Sequence, residues 1–126
     1  MFETEINHDL NLTIHKGRGI VTLEEYNNLL ENYYSSEFTE HVIWDHSNSD
    51  LSKIKPEDLF TVLKIGKKYT NLRKHGLTII VVPTSASYGL ARMLQTYAEM
   101  TGFDRSLPLC KTLEEAISII KMPVMV

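Results

Sequence analysis

Between Leu77 and Arg92 the chain passes from an apolar run, through hydroxyl-bearing residues, into helical spacing. Leu77 and the unbroken stretch Ile79 to Val82 include four β-branched residues, which predicts a strand buried on both faces. Pro83 ends it, because proline has no N–H to give to a sheet ladder. Thr84, Ser85 and Ser87 offer helix caps, and Leu90, Ala91, Leu94 and Ala98 set a helix that ends at Gly102.

Upstream, Phe2, Thr4 and Ile6, and then Leu10, Leu12 and Ile14, alternate with polar residues. Period two predicts two half-buried strands, and Asn7-His8-Asp9 makes them a hairpin. Lys16-Gly17-Arg18-Gly19 reads as a turn; it lacks the third glycine of a dinucleotide fingerprint. Thr22-Leu23-Glu24-Glu25 is a capping box, followed by Tyr26, Leu30 and Tyr33 at helical spacing to about Tyr34. His41 to Asp45 reads as a second buried strand and His46 to Asp50 as a polar loop. Lys55-Pro56-Glu57-Asp58 opens a long helix with Leu59, Val62, Leu63, Tyr69 and Leu72 on its apolar stripe. Gly66 falls on that stripe, which implies a close approach, and Gly76 reads as the C′ residue. Lys64, Lys67, Lys68, Arg73 and Lys74 are expected on the outer surface. Leu107 to Cys110 predicts a short last strand, and Thr112-Leu113-Glu114-Glu115 a second capped helix that Pro123 stops. The order ββαβαβαβα implies one α/β domain over residues 1–126. Its sheet is mixed but mostly parallel, with an N-terminal β-hairpin and about four helices.

The chain's 126 residues suffice for one core, and a net charge of −3 speaks against a broad nucleic-acid footprint. A single cysteine, Cys110, forms no internal disulfide, no apolar run approaches the roughly 20 residues of a membrane span, and MFETEINHDL is unlike a signal peptide. These features predict a cytoplasmic protein. The apolar tail Met122 to Val126 needs a surface to pack on, in its own domain or in a homodimer partner.

At this point the chain resembles the STAS domain, the SpoIIAA-like fold of anti-sigma-factor antagonists. HVIWDHS looks like the family's buried strand ending in Asp-x-Ser, here Asp45 and Ser47. LTIIVVPTSA looks like its next strand and loop, and Thr101 to Ile117 like its closing strand and capped helix. Val42 to Arg92 looks closer to a STAS-like branch of bacterial proteins that is grouped on shape with lipid-binding Sec14-like folds. The resemblance implies a regulatory module that binds a protein partner and needs no cofactor. One departure matters. Where antagonists carry the Asp-Ser-Ser-Gly phosphoacceptor motif, this chain has Ile54-Lys55-Pro56-Glu57-Asp58-Leu59, so the serine switch is not carried over.

Ligands of open α/β sheets gather outside the carboxyl ends of the strands. The residues expected there are Asp45, Ser47, Asn48 and Ser49 on one strand end, and Thr84, Ser85, Ser87, Tyr88 and Arg92 on the next. They suit a protein partner, or an anion held by helix amides and Arg92. A small apolar or anionic ligand is the alternative, and it calls for an enclosed cavity lined by Trp44, Tyr69, Tyr88, Leu94 and Tyr97. A hydrolase would need Ser47, Ser85 or Ser87 about 3 Å from a histidine nitrogen. Asp45, His46 and Ser47 cannot form a relay among themselves, because neighbours in an extended segment point to opposite sides. The five histidines lack metal-ligand spacing and are expected at the surface or at caps.

Overall fold

The computed structural model describes residues 1–34, 38–70, 73, 76–103 and 106–122. The expected Pro123 stop, the tail beyond Met122, Leu72, Lys74 and His75 lie outside these, as does the side chain of Tyr69. The strands are β1 (Phe2–Asn7), β2 (Leu12–Ile20), β3 (His41–Asp50), β4 (Thr78–Val81) and β5 (Leu109–Cys110). The helices are α1 (Leu23–Tyr34), α2 (Asp58–Thr70), α3 (Ser85–Met100) and α4 (Leu113–Lys121). The strands lie side by side in chain order in one sheet; β1 runs antiparallel to β2 and every other pair is parallel. The mixed α/β fold with its N-terminal hairpin is as the hydropathy pattern predicts.

Strand alternation sorts the core into two faces. Leu12, Ile14, Ile43, Ile79 and Val81 pack with Ala116 of α4 on one face. Ile80 and Val82 pack with Leu63 of α2 and with Ala91 and Ala98 of α3 on the other. α1 lies beside α2 and sends Tyr33 down to Thr13 of β2, with the hydroxyl oxygens 2.9 Å apart.

Four local expectations are corrected. Lys16 to Gly19 is not a turn, and His46 to Asp50 is not a loop. β2 and β3 continue past a bulge between Lys16 and Arg18 and stay paired to Ile20 and Asp50. Polar side chains misled the hydropathy reading here, because pairing satisfies the backbone whatever the side chains are. α2 begins at Asp58 rather than Pro56, with the Asp58 carboxylate accepting from the Lys55 amide at 2.9 Å. Arg73 is not on the outer surface. It is 2% exposed and donates to the carbonyls of Glu40 and Leu77 at 2.9 and 3.0 Å.

The glycines exchange roles. Gly76 does not take a left-handed φ, but a Cβ there would meet the Glu40 carbonyl oxygen at 1.5 Å, so this is where two backbones touch. Gly66 makes no such approach, since the first atom its Cβ would meet is on the Phe103 ring at 3.7 Å. Gly76→Ala is therefore expected to lower stability by about 1–3 kcal/mol through overpacking against rigid backbone. Gly66→Ala should raise it by about 0.5–1 kcal/mol through helix propensity. Urea unfolding of both variants checks the pair.

Candidate functional site

The parallel register sets Asp45 beside Val81, so the ends of β3 and β4 are neighbours. β3 runs five residues past that pairing, to Asp50, while β4 stops at Val81 and the chain turns through Pro83 into α3. The two expected groups of residues thus share one rim.

Within it the side chains divide. Asp45 is buried and spends one carboxylate oxygen on Ser47, accepting from its amide at 3.0 Å and its hydroxyl at 2.5 Å. Ser47, Asn48, Thr84 and Ser85 are exposed, and Tyr88 is 40% exposed. Ser85 is not the cap. Thr84 is: its hydroxyl oxygen accepts from the Ser87 amide at 3.1 Å, and the Ser87 side chain accepts from the Thr84 amide at 3.2 Å. That exchange buries Ser87 and gives Pro83-Thr84 the extended entry that a cap requires. Arg92 does not join the amides at the start of α3; its guanidinium donates to Gln95 Oε1 at 3.0 Å, towards the helix's other end.

His46, in the segment where the sequence predicts a loop, is 4% exposed and points under α1. The Tyr26 hydroxyl lies 2.5 Å from its Nε2, and Ser49 Oγ 2.9 Å from its Nδ1. Burial raises the Tyr26 hydroxyl far above its ordinary pKa, so it keeps its proton. Burial also lowers His46 from 6.5 to about 4, although the nearby Asp45 pulls the other way. A neutral imidazole carries one proton, so the ring donates in one of these two hydrogen bonds and accepts in the other. The serine that comes within 3 Å of the His46 ring is thus Ser49, and not the expected Ser47, Ser85 or Ser87.

Gly17 makes this chain possible. A Cβ there would meet Ser49 Oγ at 2.2 Å and His46 Nδ1 at 3.3 Å. Aromatic rings close the side towards β1, where Phe2 lies edge-on to Tyr26, Trp44 and His46. Below them His15 is wholly buried against Tyr33 and Trp44, with Thr4 Oγ1 3.0 Å from its Nδ1 and no hydrogen-bond partner for Nε2 among the described residues. Burial, helped by the charge of Arg73, lowers His15 to about 4. Neither histidine is thus at the surface. Only a period-two count through HVIWDHS, placing His46 on the Trp44 side of the strand, signals this in the sequence.

A cavity of about 130 Å³ opens between this face of the sheet, α2 and α3. Trp44 and Leu94 line it as expected. Tyr88 instead faces solvent, and Tyr97 stacks on Phe60 with ring centroids 4.3 Å apart. Among the described residues no group of His, Cys, Asp and Glu is arranged to hold a metal, and no helix is long and apolar enough to cross a membrane.

The solved structure of the anti-sigma factor antagonist SpoIIAA in its unphosphorylated form matches 98% of this chain and 100% of that one, with a TM-score of 0.52. The two sequences are 15% identical, so the match establishes the SpoIIAA fold. No protein-family model matches the chain, and neither does any curated protein.

Two outcomes follow from the rim and its support. Thr84→Ala should cost about 1 kcal/mol of stability and Ser85→Ala almost nothing, read by chemical denaturation. His15 and His46 have folded pKa values near 4 against 6.5 in the unfolded chain, so the unfolded chain binds more protons between those values. Their contribution is complete above pH 6.5 and lost as the pH falls towards 4, about 3 kcal/mol for each. Stability measured across that window should fall with acid, and His46→Gln should remove about half of the slope.

Proposed function

We propose that this protein is a non-enzymatic regulatory module of the cytoplasm that acts by binding a protein partner on the rim where β3 and β4 end. The observation that carries this reading is the division of labour there. Asp45, His46, Ser47, Ser49 and Ser87 are engaged within the molecule, while Asn48, Ser85 and Tyr88 turn hydrogen-bonding groups and an aromatic ring outward from a fixed base. A rigid frame with exposed polar and aromatic groups binds with little ordering cost. The SpoIIAA fold supports the regulatory role. At the start of α2, Asp58 caps the turn where the phosphoacceptor motif would stand, so the proposed partner is engaged without a serine switch at that place.

Affinity capture with the whole chain as bait tests this. The wild type should retain a specific protein, and the Asn48→Ala/Tyr88→Ala double variant should lose it with an unchanged Tm. Retention by the variant, or no partner for either chain, contradicts the reading.

A further inference from the structure

The cavity beneath α2 has a size and a wall chemistry that together define an occupant. Leu59, Val62 and Leu63 of α2 and Leu90, Ala91 and Leu94 of α3 form its two helical sides. Gly66 also lines it, and the missing side chain leaves open the space up to Phe103. Three of the polar residues on the wall are already engaged inside the protein. His46 is held between Tyr26 and Ser49, Ser87 is exchanged with Thr84, and the Arg73 guanidinium donates to the Glu40 and Leu77 carbonyls.

Water needs about two to four polar partners to settle in a cavity, and these groups direct their hydrogen bonds elsewhere. Left empty, the wall forfeits dispersion contacts on one side. An apolar cavity of about 150 Å³ is known to stay dry and to admit benzene, so about 130 Å³ corresponds to a single ring. A charged ligand would lose its hydration against a mostly apolar wall. We infer that the space between α2, α3 and the sheet is a binding site for a compact, uncharged, apolar molecule of about one-ring size. This inference does not depend on the protein-binding reading of the rim.

Benzene added to the whole chain is the probe, with thermal unfolding and methyl chemical shifts as readouts. Benzene should raise Tm by a few degrees, because it binds the folded chain alone, and should move the methyl signals of Leu63, Leu90 and Leu94. Benzoate, the same ring with a charge, should do neither. Gly66→Leu fills the cavity from α2 and should abolish both responses. Leu94→Phe fills it from α3 and serves if the first variant does not fold. An unchanged Tm, shifts at methyl groups elsewhere, an equal response to benzoate, or a response that survives in the filled variants overturns the inference.

Discussion

The hydrogen-bonded chain from Tyr26 through His46 to Ser49 ties three elements together at the point where the sheet would otherwise end. Tyr26 belongs to α1, while His46 and Ser49 belong to the part of β3 that outruns β4. The third element is β2, whose Gly17 leaves the room that Ser49 occupies. Burying an imidazole is costly unless its nitrogens are partnered, and here each nitrogen of His46 has one partner. Because the strand extension is pinned from below, the exposed Ser47 and Asn48 sit on a fixed base. The rim and its proposed partner surface both depend on that.

The opposite end of the same face is fixed by different means. Arg73 reaches in to the carbonyls of Glu40 and Leu77, and Gly76 lets the backbone at Glu40 come within contact. With both ends held by polar contacts, the middle of the face is left to aliphatic side chains from α2 and α3, which do not fill it. Protein cores normally close such space, so a persistent void reflects geometry imposed from outside it. Here that geometry comes from the two anchored ends and from Gly66 between them.

The fold was legible because apolar alternation and capping residues carry most of it. The hairpin, the buried run at Ile79 to Val82 and both threonine caps before Leu23 and Leu113 stand where the sequence places them. What stayed hidden was polar structure in the interior. His46 to Asp50 looks like a loop because its side chains are polar, yet its backbone is paired with β2. Arg73 looks like part of a lysine-rich surface, and its burial follows only from carbonyls supplied by residues 33 and 4 positions away. The sequence leaves the cap open among Thr84, Ser85 and Ser87, because three neighbouring hydroxyls compete for it. The reciprocal bond with Ser87 decides between them. The rim was found as a place, but which of its side chains are spent internally depends on contacts with α1 and β2 that no local pattern reveals.

The direction of the proton along Tyr26, His46 and Ser49 is what separates a structural rim from a catalytic one. Long-range nitrogen–proton NMR correlation of the His46 ring at neutral pH measures it directly. The non-enzymatic reading predicts a neutral ring protonated on Nδ1, which keeps Ser49 as an acceptor. A ring protonated on Nε2, with Nδ1 free to accept from Ser49, or a charged imidazolium, would contradict the account and reopen the hydrolase reading.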